Sequence, residues 1–152
     1  MKKFLSVAII TLFVFGYSEA QMLNPVKWNY TATRISDKMY EIHLTATLDP
    51  KWHIYAQEAG EGPEPTSFIF SPNPLVKLDG KVKEVGKQEK VYDANFNSTL
   101  KFYGGKVDFV QKVKLKSTAA TVVKGKINYM VCDDKKCLPP KEVPFSVKLS
   151  GK

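Results

Sequence analysis

Cysteine and histidine are scarce in this 152-residue chain, with two of each, and long apolar runs are missing after Phe15. Past that point no segment approaches the roughly 20 apolar residues that a membrane helix requires, so a helical span in the body of the chain is excluded and a soluble protein is expected. No stretch of about eleven residues or more spaces its apolar side chains at three and four, which excludes an extended amphipathic helix. Internal repeats and low-complexity tracts are also lacking, so neither a repeat array nor a disordered tail is indicated. The chain carries a formal net charge of +8, yet its basic residues are scattered from Lys27 to Lys152 with few tight runs. That scatter is the pattern of a solvated surface, and no nucleic-acid partner is expected.

The amino terminus is the most legible part of what is present. Lys2 and Lys3 precede an apolar run from Phe4 to Phe15, followed by Ser18-Glu19-Ala20. A charged start, a short apolar stretch and small residues at a cleavage point are the parts of a secretory signal peptide. About a dozen apolar residues cannot cross a hydrocarbon layer of roughly 30 Å. Residues 1–20 are therefore expected to be a signal peptide cleaved after Ala20, leaving residues 21–152 as one exported domain. Loss of Lys2, Lys3 and Glu19 lowers the charge from +8 to +7. No cysteine sits at the cleavage point, where Gln21 follows Ala20, so no lipoprotein anchor is expected. A domain of that size can bury a core without disulfides to hold it.

The remaining periodicity is that of strands. Val26, Trp28, Tyr30 and Ala32 alternate with polar neighbours, and so do Tyr40, Ile42, Leu44, Ala46 and Leu48, with Ser36 and Asp37 supplying the turn between them. Phe68 and Phe70, Val76 and Leu78, and Val82 and Val85 suggest three short strands separated by Pro72, Pro74 and Gly80. Val107, Phe109, Val113 and Leu115 mark the inward face of a longer strand. Ile127, Tyr129 and Val131 follow, and Val143, Phe145, Val147 and Leu149 close the series. The pattern predicts an all-β fold, an immunoglobulin-like β-sandwich of eight or nine strands, with a small barrel as the alternative. The one long irregular stretch, Ala56 to Pro65, is a candidate functional loop.

Two cysteines in an exported domain suggest a disulfide, either a staple or a working redox couple. Cys132 and Cys137 enclose only Asp133, Asp134, Lys135 and Lys136, so the bridge does not tie two sheets together. Closing so small a loop contributes ~2 kcal/mol by chain-entropy arithmetic. Four charged residues place the loop in water, where a partner thiolate can approach. Lys135 and Lys136 favour a thiolate at Cys137, while Asp133 and Asp134 oppose one at Cys132. A zinc site built from both cysteines with His43 and His53 is a weaker third option, because His43 lies on the polar face opposite Ile42 and Leu44 and the set lacks a second close ligand pair. A non-catalytic exported binding module with a structural disulfide remains an alternative at this point.

Several stretches resemble the amino-terminal periplasmic domain of the thiol:disulfide interchange protein DsbD. The resemblance is carried by Ile127-Asn128-Tyr129-Met130-Val131-Cys132, Cys137-Leu138-Pro139-Pro140 and Val143-Pro144-Phe145, which are similar to that family's cysteine hairpin followed by two prolines. Trp52-His53-Ile54-Tyr55, Pro65-Thr66-Ser67-Phe68 and Tyr92-Asp93-Ala94-Asn95-Phe96 match further. The resemblance implies an immunoglobulin-like sandwich without metal or organic cofactor. It implies a domain that accepts electrons from a thioredoxin-like domain and passes them to periplasmic disulfide isomerases and cytochrome-maturation proteins. Cys137 would form the mixed disulfide and Cys132 would resolve it. Phe96, within Asp93 to Asn97, would be the aromatic ring of a cap loop over the cysteines, and His53 and Tyr55 would line the site.

The chain departs from that family in three respects. The loop between the cysteines is one residue shorter, and His53 stands where a tyrosine is more usual. The family protein continues into a multi-helix membrane domain and a thioredoxin-like domain, whereas this chain ends at Lys152. A separate membrane electron-transfer protein is the expected donor.

Overall fold

The computed structural model describes residues 23–150 apart from Asn95. The expected signal peptide, residues 1–20, and Asn95 of the expected cap loop lie outside the described residues. Nine strands and no helix are present among them: β1 Val26–Arg34, β2 Met39–Leu48, β3 His53–Tyr55, β4 Ser67–Phe70, β5 Val76–Asp93, β6 Ser98–Leu115, β7 Thr121–Tyr129, β8 Val131–Cys132 and β9 Lys141–Leu149. One sheet has the order β1-β2-β6-β3-β8, with β5 on the other edge of β6, and the second has the order β4-β7-β9. Every pairing between them is antiparallel.

The alternation in β2 does what its sequence dictates. Tyr40, Ile42, Leu44, Ala46 and Leu48 are all buried, while their neighbours are more exposed. The β1–β2 turn closes through Ile35 N–H donating to the Met39 carbonyl at 2.8 Å, backed by an Arg34–Asp37 ion pair at 2.9 Å. Across the sandwich, Phe109 of β6 meets Phe68 of β4 with ring centroids 5.0 Å apart, and Trp28 of β1 meets Tyr129 of β7 edge-on at 5.4 Å. Each such aromatic pair buries a large apolar area and adds ~0.5–1.5 kcal/mol beyond it.

One stretch differs from the sequence expectation. The segments at Val76 to Leu78 and Val82 to Val85 are not separate strands but parts of one 18-residue strand, β5. Gly80 acts as a bulge rather than a turn. Its φ of 71° suits a residue without a Cβ, and the register against β6 shifts between Asp79 and Lys83. Gln111, which interrupts the apolar face of β6, is 2% exposed and explains how the bulge is tolerated: its amide donates to the carbonyls of Asp79 at 3.1 Å and Gly80 at 3.3 Å.

Candidate functional site

The site lies on the face of the larger sheet that points away from the sandwich core. In β3, Ile54 is fully buried in that core, so the period of two sends His53 and Tyr55 to the opposite face. The register then assembles a row across the sheet: Tyr55 pairs with Phe102 of β6, His53 pairs with Gly104 of β6 on one side and with Cys132 of β8 on the other, and Cys132 pairs with Cys137. Directly paired residues share a face, so both sulfurs, the imidazole and the phenol stand side by side. Tyr55, Ala59, Leu100 and Cys132 form a small apolar cluster there, separate from the main core and flanked by Phe102 and Met130.

Cys132 and Cys137 form a disulfide with Cα atoms 4.0 Å apart. The hairpin between them is closed by Asp133 N–H to the Lys136 carbonyl and by Leu138 N–H to the Val131 carbonyl, each 2.9 Å. Asp133 Oδ1 accepts the N–H groups of Lys135 and Lys136, both at 2.8 Å, and these two bonds hold its carboxyl below the usual carboxylate range. The sulfurs are inequivalent. Cys132 is 2% exposed, whereas Cys137 is on the surface with Asp134, Lys135 and Lys136.

Beneath the disulfide, the Tyr55 hydroxyl donates to Cys132 Sγ at 3.3 Å. Burial raises the Tyr55 pKa, and the charge of Asp93 adds to the effect, so the phenol keeps its proton at neutral pH. The His53 ring packs over Phe102 with centroids 4.3 Å apart and meets Tyr55 edge-on at 5.4 Å. Burial lowers the His53 pKa, and the carboxylates of Asp134, Glu89 and Asp133 only partly oppose this. An open depression of about 550 Å³ brings together Cys132, Cys137, His53, Tyr55, Asp93 and Phe96.

Phe96 is 47% exposed at the rim. Its backbone N–H donates to Asp93 Oδ1 at 3.4 Å. Its ring rests on Gly62 of the long loop, whose φ is 114°; a Cβ there would stand 2.2 Å from Phe96 Cδ1. The loop also grips the strand beyond, since Glu61 N–H donates to Ser98 Oγ at 2.9 Å.

A family model described as the thiol:disulfide interchange protein DsbD, N-terminal, matches residues 19–149. The chain belongs to this family. Solved structures agree on the fold. The DsbD N-terminal domain of Neisseria meningitidis in its reduced form superposes with a TM-score of 0.55 at 15% identity, over 86% of this chain and 92% of that one. The N-terminal periplasmic domain of ScsB from Proteus mirabilis gives 0.53 at 17% identity, over 82% of this chain and 45% of that one. The complex of the Neisseria meningitidis DsbD and PilB N-terminal domains gives 0.51 at 12% identity, over 83% and 87%. No curated protein matches by sequence. Membership of the DsbD N-terminal family, together with the disulfide, gives the chain a general role in thiol-disulfide interchange on an immunoglobulin-like sandwich.

The residues singled out in the sequence, Cys132, Cys137, His53, Tyr55, Asp93 and Phe96, all line one depression. His43 does not join them. It sits on β2 with its Nδ1 2.7 Å from Asp108 Oδ2, and Thr45 donates to the other oxygen of that carboxylate at 2.9 Å. Among the described residues no group of three or more His, Cys, Asp or Glu is placed to hold a metal ion. Leu100, Phe102 and Val91 line the depression as well and were not singled out. Leu100 and Phe102 alternate with Lys101 and Tyr103, out of phase with Val107 and Phe109, which puts them on the face of β6 opposite the main core.

Proposed function

We propose that this is an exported, periplasmic thiol:disulfide oxidoreductase, with residues 1–20 as its signal peptide and 21–152 as its single working domain. It takes electrons from a thioredoxin-like or membrane donor and reduces periplasmic acceptors, disulfide isomerases or cytochrome-maturation proteins, through Cys132 and Cys137. The observation that carries this is the pairing of an exposed sulfur with a buried one whose phenol partner lies 3.3 Å away. Thiol-disulfide exchange needs in-line access to one sulfur and a stabilised leaving thiolate on the other. Cys137 offers the access. Cys132 leaves beside Tyr55 and later returns to resolve the mixed disulfide.

Phe96 and Asp93 act as the cap. An uncovered dithiol in an oxidising compartment reacts with whatever oxidant it meets, so a ring at the rim of the site limits exchange to partners that displace it. No cofactor is required, since thiol-disulfide exchange itself passes the electron pair from a dithiol to a disulfide.

Incubation of the Cys132→Ala protein with an oxidised thioredoxin-like partner tests the reading. The account expects a mixed disulfide at Cys137 that acid quenching and alkylation capture, because Cys132 is not there to resolve it, and no adduct with Cys137→Ala. Absence of adduct from the Cys132 variant contradicts the assignment.

A further inference from the structure

The two histidines of the chain are held in opposite ways. His43 is committed to Asp108 at 2.7 Å. His53 has ring contacts with Phe102 and Tyr55, but neither of its nitrogens has a hydrogen-bond partner among the described residues. It stands directly across the ladder from Cys132, and directly opposed residues place their Cβ atoms about 4.5–5.5 Å apart, within reach of an imidazole. Its other ladder neighbour is Gly104, which presents no side chain of its own.

Building on the thiol-disulfide reading above, we propose that His53 is the proton partner of Cys132, charging when the disulfide opens and protonating the sulfur that leaves. A thiolate of the reducing partner attacks Cys137 Sγ, a new sulfur–sulfur bond forms, the old one breaks and its electron pair remains on Cys132 Sγ. That buried thiolate is a new anion beside an imidazole that was neutral. A proton from solvent enters on His53 and is shared with Cys132, thiolate and charged ring in exchange with thiol and neutral ring, so that His53 titrates as one half of a coupled pair. In the resolving step the partner's second thiol supplies the remaining electrons and leaves oxidised, and the proton on Cys137 comes from solvent.

Carboxylates approach the ring from two sides. Glu89 of β5 overhangs the Gly104 position, with its Oε1 3.6 Å from where a Cβ would stand, and Asp133 and Asp134 approach from the hairpin. Asp93, Lys135 and Lys136 face the same depression. Burial outweighs the three nearby carboxylates and keeps the ring neutral while the disulfide is intact. A thiolate at Cys132, directly across the ladder from the ring, adds the further attraction that reverses that balance. Tyr55 cannot take this role, because its raised pKa lets it donate a hydrogen bond but not release a proton near neutrality.

The experiment is an NMR titration of both histidine rings in the oxidised protein, in the dithiol form, and in Cys132→Ala. The account expects the His53 midpoint to rise by roughly one pH unit on reduction, the size of effect an adjacent opposite charge produces. His43 should not move, and Cys132→Ala should hold His53 at its oxidised value. In His53→Gln the pH profile of reduction by dithiothreitol should lose its step at the His53 midpoint. Equal His53 midpoints in both redox states, or a His53→Gln profile that superimposes on that of the unaltered protein, overturns the proposal. Either result leaves the exchange reading standing, because that reading is tested separately, by the trapping of a partner on Cys132→Ala and by the reduction potential of the pair.

Discussion

The Tyr55 hydroxyl donates to Cys132 Sγ at 3.3 Å, and both side chains are buried. A thiolate left on Cys132 therefore has a charge-assisted hydrogen bond waiting for it in a site that water scarcely reaches. Hydrogen bonds to charged groups contribute ~1.5–3 kcal/mol, or about a tenfold change in rate or more. Tyr55→Phe keeps the ring packing and removes only the oxygen, so reduction by dithiothreitol should slow about tenfold. Stopped-flow kinetics measure this, and an unaltered rate would mean that the phenol does not stabilise the leaving sulfur.

Gly62 and Phe96 give a second prediction. Gly62→Ala introduces a Cβ into the space occupied by the Phe96 ring, at a φ of 114° that L-residues rarely adopt. The ring must leave its seat, and the backbone strain should lower stability by ~1 kcal/mol or more. Reduced Cys137 should then react faster with iodoacetamide, as it should in Phe96→Ala. Equal alkylation rates in both variants and the unaltered protein would remove the cap from the mechanism.

Much of this arrangement could be read before any coordinates. The alternation from Tyr40 to Leu48 fixes one buried face because each second residue of β2 meets the core, and His53 and Tyr55 share a face for the same reason. Cys137 was legible as the accessible sulfur because charged residues fill the hairpin beside it. What could not be read depends on distant pairing. Gly80 carries a turn signal, yet continued pairing with β6 and the amide of Gln111 turn it into a bulge within β5. Glu89 and Phe102 reach the site only through the β5–β6 and β3–β6 registers, which local periodicity does not encode. The contact of Phe96 with Gly62 joins two loops and leaves no trace in either.

Acid should weaken the fold through His53. Burial lowers its folded pKa below the ordinary value of 6.5, so between those two values the unfolded chain binds the proton more tightly. Stability then rises with pH across that window, and it is lost as pH falls from the ordinary histidine value toward the depressed one. His53→Gln should flatten this part of the profile. Urea midpoints collected from neutral to mildly acidic pH check the slope, and parallel profiles for the two proteins would contradict it.

Opening the disulfide should leave the sandwich folded. The six-residue ring from Cys132 to Cys137 contributes only ~2 kcal/mol by loop closure, while the main core draws on both sheets. Denaturant unfolding of the oxidised and dithiol forms should differ by about that amount, with the reduced form retaining one cooperative transition. Unfolding on reduction would instead mark the bridge as a structural staple.

The reduction potential of the Cys132–Cys137 pair tests the central claim most directly. The protein would be equilibrated in graded thiol buffers, trapped by alkylation and resolved by mass. Working oxidoreductases fall roughly between −200 and −270 mV, and the account predicts a value in that range. A potential below about −300 mV would identify a structural disulfide and contradict an electron-carrying role.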